Sequence, residues 1–308
     1  MLRPVQIGPT RHGPTLPDPR RPPPTRGGRG VGRRARRPID TRTGLVVSSA
    51  GMTPPREATT VAFTVHSFDA DAFGHLAPAA LAGYLQEAAG RSADSLGFGM
   101  AALNRLGATW VLARQRVVLD QPIRWGDTLA IETWPAGLDR LAALRDFVLR
   151  RDGVEVGRAL TTWFALDVAT RRPMRPDRIL PERLHAQPAH VLPVAEPPLP
   201  ELTSPELERR FQVRFADIDA NQHVTNSSYV AWALEAVDEA CWRDQRLVAL
   251  DVQFLAECHR GSYVRSRAAT HGDGTRLHAI AREEDGKELA RARTWWAPRE
   301  QDGRAPRA

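Results

Sequence analysis

The residues with the clearest chemical potential form two short groups, Asp219-Ala220-Asn221-Gln222-His223, immediately ahead of a helical pattern, and Glu257-Cys258, at the end of a strand-like run. Hydrolysis of an acyl linkage needs a base to activate water, donors to steady the charged carbonyl oxygen and a dry slot for the acyl chain. Asp219, His223 and Glu257 are candidate bases, and the Asn221 amide can hold water or a carbonyl. The N–H groups at the start of the following helix, at Val224, Thr225 and Asn226, can face an oxyanion, because the first turn of a helix leaves its donors unpaired. Cys258 is a candidate nucleophile if a neighbouring base lowers its pKa. Each type also has a plain structural use: Asp and Asn cap helices and form turns, and a single Cys or His is commonly a packing residue.

The chain contains a comparison that weighs these uses. Asp69-Ala70-Asp71-Ala72-Phe73-Gly74-His75-Leu76 matches Asp217-Ile218-Asp219-Ala220-Asn221-Gln222-His223-Val224, and the same spacing brings Tyr84 onto Trp232 and Glu87 onto Glu235. Two later anchors keep the order: Trp125-Gly126-Asp127 lies opposite Arg260-Gly261-Ser262, and Arg158-Ala159-Leu160-Thr161 lies opposite Arg291-Ala292-Arg293-Thr294. The chain is therefore read as two tandem copies of one unit. The first copy has Phe73 in place of Asn221, and Pro122 and Ile123 in place of Glu257 and Cys258. A scaffold that folds without those polar groups points to function for them in the second copy.

These loops must be positioned by a short strand, one helix and several strands in each copy. In the first, Pro78 suits the opening turn of a helix, and Leu81, Tyr84, Leu85 and Ala88 share one apolar face before Gly97. Strands are expected over 109–119, 128–134, 141–151 and 154–167, with Asp152-Gly153 as a hairpin turn. In the second, a helix is expected over 226–238 and strands over 248–256, 263–270, 275–282 and 288–297, with turns at Asp273-Gly274 and Asp285-Gly286. One helix against a curved antiparallel sheet, twice, is an α+β architecture. The expected boundaries are a tail over 1–57, domains over 58–186 and 206–299, a Pro-rich linker over 187–205 and a short tail over 300–308.

Charge narrows the choice of partner. The 308 residues carry a net +7. Residues 1–51 hold eleven arginines against Asp18 and Asp40, a net +9, which leaves −2 for the rest. The body is near neutral, and nucleic acid is not an expected partner. That Pro-, Gly- and Arg-rich segment is expected to be disordered, with Met52 as a candidate upstream boundary of the natural protein. It lacks the apolar stretch of roughly 7–15 residues that a secretory signal needs, no run of 18 or so apolar residues predicts a membrane span, and a cytoplasmic location is expected. Two cysteines, Cys241 and Cys258, predict neither a disulfide framework nor a zinc site, so no cofactor or metal is expected.

Asp219 to Asn226, with Glu257-Cys258 downstream, resembles the acyl-acyl-carrier-protein thioesterases of plants and bacteria. The first copy agrees at Tyr84-Leu85-Gln86-Glu87-Ala88-Ala89, Trp110-Val111-Leu112-Ala113-Arg114, Glu132-Thr133-Trp134, Arg145-Asp146-Phe147 and Thr170-Arg171-Arg172-Pro173. The resemblance implies two tandem hot-dog domains, each a curved antiparallel sheet wrapped around one long helix, with the first lining an acyl pocket and the second catalytic. It implies catalytic roles for Asp219, Asn221, His223, Glu257 and Cys258, with either a cysteine nucleophile or a carboxylate-activated water; activation by Glu257 or Asp219 is the favoured route. The implied partner is acyl carrier protein bearing a phosphopantetheine-linked fatty acyl chain, met by a patch among Arg171, Arg172, Arg209, Arg210, Arg214, Arg265 and Arg267. The implied state is a monomer or a homodimer. Three alternatives stand beside it. One is a single-hot-dog acyl-CoA thioesterase, which Asp71 and Gly74-His75 also resemble. Another is a hot-dog hydratase or dehydratase, whose usual Gly and Pro are replaced here by Ile218 and Gln222. The third is a non-catalytic acyl-binding module.

Overall fold

The structure, a computed structural model, describes residues 55–185, 189–194 and 197–299. The expectations for the Arg-rich tail, Met52 and the C-terminal tail lie largely or wholly outside the described residues. The first copy comprises strand β1 (Thr59–Thr64), helices α1 (Pro78–Ser95) and α2 (Met100–Arg105), and strands β2 (Ala108–Leu119), β3 (Thr128–Asp139), β4 (Ala142–Arg151), β5 (Val154–Asp167) and β6 (Pro173–Met174). The second comprises β7 (Leu207–Gln212), helices α3 (Asn226–Glu235) and α4 (Glu239–Asp244), and strands β8 (Gln245–Phe254), β9 (Tyr263–Thr270), β10 (Arg276–Arg282) and β11 (Glu288–Pro298).

All these strands join one antiparallel sheet in the order β1-β3-β4-β5-β2-β8-β11-β10-β9-β7, with the short β6 beside β5. Read outward from its centre, each half has the same order, so β2 corresponds to β8, β5 to β11, β4 to β10, β3 to β9 and β1 to β7. The two halves thus share one strand order about the centre of the sheet. The halves meet where β2 pairs with β8 from Arg114 opposite Gln253 to Val118 opposite Ala249. Pairing these strands removes two exposed edges that would otherwise invite association with other chains.

Each half wraps its sheet around a helix. On α1, Leu81, Leu85, Ala88 and Ala89 are buried against Val61, Ile131, Phe147 and Leu149 of the first half. On α3, Tyr229, Val230, Ala233 and Leu234 fill the second core, which also takes in Ala82 of α1. The helices therefore touch, and Asn226 Nδ2 donates to Gln86 Oε1 at 3.1 Å across the halves.

Each half carries a second short helix, α2 and α4, beyond the one expected. The helix expected over 226–238 stops at Glu235; Asp238 instead caps α4, accepting the Cys241 N–H at 2.7 Å. The described part of the Pro-rich linker packs against the sheet. Val191 and Leu192 are buried with Trp134, Leu144, Val248 and Trp295 over the junction of the halves, and the Val191 N–H donates to Asp146. Burial pushes the Asp146 carboxyl up, opposed by the bond to His190.

One ion pair ties the central strands side to side. Arg114 Nε and Nη2 donate to the two carboxylate oxygens of Asp251 at 2.8 and 2.6 Å, with both side chains largely shielded from solvent. Removing one partner of such a pair strands the other charge, at about 3 kcal/mol. Asp251→Ala is accordingly expected to lower the unfolding free energy by about 3 kcal/mol in urea titration, whereas Arg265→Ala, at an exposed pair, should cost less than about 1 kcal/mol; equal losses would contradict this account of the junction.

Candidate active site

The two copies of the Asp-containing loop are built alike. In the first, Asp71 Oδ1 accepts the N–H groups of Phe73 and His75, both at 2.9 Å. In the second, Asp219 Oδ1 accepts those of Asn221 and His223 at 2.8 and 3.2 Å. Asp69 and Asp217 likewise cap the short 3-10 turns before each loop. One oxygen of Asp219 is therefore committed to holding a turn, and the other lies 3.4 Å from Asn221 Nδ2 and orients that amide. The turn requires a left-handed residue. The first copy supplies Gly74 (φ +74°) and the second Gln222 (φ +65°), which bears the steric cost of a side chain there.

Beyond the turn, the structure brings Asp219, Asn221, His223 and Glu257 into the lining of a cavity of about 820 Å³. His223 Nε2 lies 3.5 Å from Glu257 Oε2, with both side chains about a third exposed. The first half contributes to the same lining through Gly83, Gly90 and Ala93 of α1 and through Phe98, Leu112 and Trp163. A Cβ added at Gly83 or Gly90 would meet nothing within 4 Å. A helix-interior glycine costs about 1 kcal/mol relative to alanine, and no turn or close approach requires one at either position.

Val224 and Thr225 line the cavity as expected, but the groups expected of them and of Cys258 are engaged elsewhere. Cys258 does not line the cavity: it is fully buried in the second core, and burial pushes its thiol up, away from the reactive thiolate. Its counterpart is the core residue Ile123; their carbonyls accept the equivalent N–H groups of Val224 and Leu76. The amides of Val224 and Thr225 are not free donors, being bonded to Cys258 O at 3.1 Å and Asp217 O at 2.8 Å. The Thr225 side chain caps α3 by accepting from Ser228. Among the described residues, the N–H groups left without an acceptor at this helix start are those of Asn226 and Ser227, which both line the cavity.

The matching site of the first half is closed. Arg299, just after β11, places its guanidinium 3.9 Å over the Phe73 ring and 3.0 Å from His75 Nδ1, and donates to the carbonyls of Trp242 and Gln245. Only about 30 Å³ of space remains beside it. Burial holds His75 below its ordinary pKa, and the nearby charges of Arg124, Arg299 and Arg246 act in the same direction, against Asp71.

Arg171, just after β5, performs the reciprocal crossing and makes an ion pair with Glu257 Oε1. Sequence reading had placed Arg171 in a partner-facing patch. Other members of that patch are also engaged: Arg210 pairs with Glu283, Arg214 with Asp217, Arg265 with Glu208 and Glu283, and Arg267 with Glu208. Neither Arg171 nor the cavity glycines stood out as site residues in the sequence. The glycines carried a readable signal, their position on one helical face, whereas the reach of Arg171 depends on which strands are neighbours.

Two like units sharing one sheet, each wrapped around a helix, with a polar centre in one of them, define a tandem hot-dog protein. Descriptions of the acyl-ACP thioesterase N-terminal and C-terminal domains match residues 56–184 and 201–298. The chain belongs to the acyl-ACP thioesterase family. It is similar to a palmitoyl-acyl carrier protein thioesterase of Cuphea hookeriana (30% identical over 203 residues, 62% of this chain), of whose length it spans about half, 49%. It is also similar to oleoyl-acyl carrier protein thioesterase 1 of Arabidopsis thaliana (28% over 282 residues, 76% of this chain and 74% of the relative). Among solved structures, the 12:0-ACP thioesterase of Umbellularia californica shares the fold at a TM-score of 0.69 and 22% identity, over 80% of this chain and 100% of that one. An acyl-ACP thioesterase of Bacteroides thetaiotaomicron shares it at 0.68 and 24%, over 78% and 98%.

The strain at the Gln222 turn can be measured. Gln222→Gly relieves a left-handed side chain but adds unfolded-state entropy, and the balance is expected to raise the unfolding free energy by about 0.5 kcal/mol. Destabilisation in urea titration would show instead that the Gln222 side chain makes a contact worth more than its strain.

Proposed function

We propose that this chain hydrolyses the thioester linking a fatty acyl group to acyl carrier protein, releasing free fatty acid and ending elongation in fatty acid biosynthesis. The observation that carries the reading is the meeting of Glu257, His223 and Asn221 in the lining of a cavity to which the first half also contributes. In this reading the acyl chain lies along α1, and its carbonyl sits at the start of α3.

Glu257 takes a proton from a water held by His223 and Asn221 as the water oxygen attacks the thioester carbon. The Asn226 and Ser227 N–H groups, at the positive end of α3, meet the oxygen as it gains charge. Collapse of that intermediate breaks the C–S bond, and the leaving phosphopantetheine thiolate recovers the proton from Glu257. Asp219 positions the loop and the Asn221 amide. The water route is favoured because the buried Cys258 thiol is both raised in pKa and outside the cavity. The closed first-half site argues against an acyl-CoA thioesterase working from Asp71.

Matched acyl-carrier-protein and acyl-CoA substrates test the reading. Glu257→Gln and His223→Asn are each expected to reduce kcat by about 10²- to 10⁴-fold without loss of fold, while Asp71→Asn stays within about twofold of the parent. Preference for the CoA ester, or an inactive Asp71→Asn, would overturn it. Gly90→Leu should lower kcat/KM for long acyl chains at least about tenfold more than for short ones, because its side chain enters the cavity; an unchanged length profile would remove α1 from the acyl path.

A further inference from the structure

We propose that His223, Glu257 and His259 form a binding site for a borderline transition-metal cation such as Zn²⁺, and that its occupation stops hydrolysis. Donor atoms from the three side chains all lie within 4.8 Å of one another. His223 Nε2 and Glu257 Oε2 are already 3.5 Å apart, and the two imidazole centroids are separated by 5.3 Å. Tetrahedral zinc with bonds of about 2.0–2.1 Å needs ligand atoms about 3.3 Å apart, so a small swing of the exposed His259 ring completes the set. The local chain favours this convergence. Cys258 turns into the core, while its neighbours Glu257 and His259 remain accessible.

Two imidazoles and one carboxylate, with a fourth position left for water, are the donor chemistry of zinc rather than of magnesium or calcium. Arg171 occupies Glu257 Oε1, which leaves Oε2, on the His223 side, as the oxygen for an ion. Its charge weakens the pull of the carboxylate on any cation, and that further favours a metal with high affinity for nitrogen. His259 Nδ1 lies 3.5 Å from Gln222 O; in the tautomer that donates this bond, Nε2 keeps its lone pair for the metal. The first half has no equivalent set. At the strand-matched positions it carries Pro122 and Arg124 in place of Glu257 and His259.

His259 does not line the cavity and has no part in the proposed hydrolysis. The inhibitory consequence rests on that proposal, because the ion would withdraw Glu257 and His223 from the reaction. The test compares wild type with His259→Ala, first without substrate, by Zn²⁺ calorimetry and Co²⁺ visible absorption, then in the hydrolysis assay with Zn²⁺ or Mg²⁺. Wild type is expected to take up one ion more than the variant, to show a Co²⁺ band that the variant lacks, and to lose activity to Zn²⁺ but not to Mg²⁺. His259→Ala should keep its basal rate and need at least about tenfold more Zn²⁺ for half-inhibition. Equal binding and equal sensitivity in the two proteins would overturn the metal site while leaving the hydrolytic reading intact. His259-dependent binding with undiminished hydrolysis would uphold the site and instead remove Glu257 and His223 as the reacting groups.

Discussion

The pairing of β2 with β8 is the contact on which the rest of the molecule depends. It makes one sheet of the two halves and turns the chain just after β5 and just after β11 toward the loop of the other half. Through it Arg171 reaches Glu257 from the first half, and Arg299 reaches His75 from the second. It also sets α1 beside α3, so the cavity has walls from both halves and belongs to neither alone. The Arg114–Asp251 pair and the covering strip at Val191 and Leu192 both act at this junction. Loss of strand pairing there would part the polar centre from its apolar walls and open the buried cluster that spans the junction.

The two loops show how little backbone change separates an open site from a closed one. Asp71 and Asp219 hold the same turn with the same two bonds, and both loops end in a histidine. The difference lies in what stands opposite. An arginine stacked on Phe73 fills the first site, whereas in the second Asn221 replaces the aromatic ring and the opposing arginine pairs with a carboxylate. The same logic separates Glu257 from its neighbour: one side chain faces the cavity, and the next turns into the core, where burial suppresses thiolate formation.

Much of this was legible in the sequence because it is local. Strand-like runs closed by Asp-Gly turns, Pro78 at a helix start and the repeated Asp-x-x-x-His spacing point to the main elements, their order and the repeat, and the unequal copies point to Asn221, Glu257 and Cys258, of which Cys258 is buried in the core. Relations across the duplication were not legible. Nothing in Thr170-Arg171-Arg172-Pro173 tells that Arg171 meets Glu257, since the contact arises from sheet order. The end of α3 at Glu235 was missed because Asp238 reads equally well as a helix residue and as a cap. Val224 and Thr225 were assigned free donors because an isolated helix start has them; here a neighbouring carbonyl and the capped turn had already claimed both.

The occupation of the His75 site by Arg299 bears on what duplication makes available. In a symmetric pair of identical subunits, any residue that blocks one site blocks its twin, and any widening of one groove widens both. Joining the units in a single chain removes that constraint. A mutation at the end of β11 could be retained without harm to the other loop, and glycines could accumulate along α1 without weakening α3. The difference between the open loop at His223 and the closed one at His75 is in this sense a broken symmetry, with Arg299 as the residue that fills the first-half site.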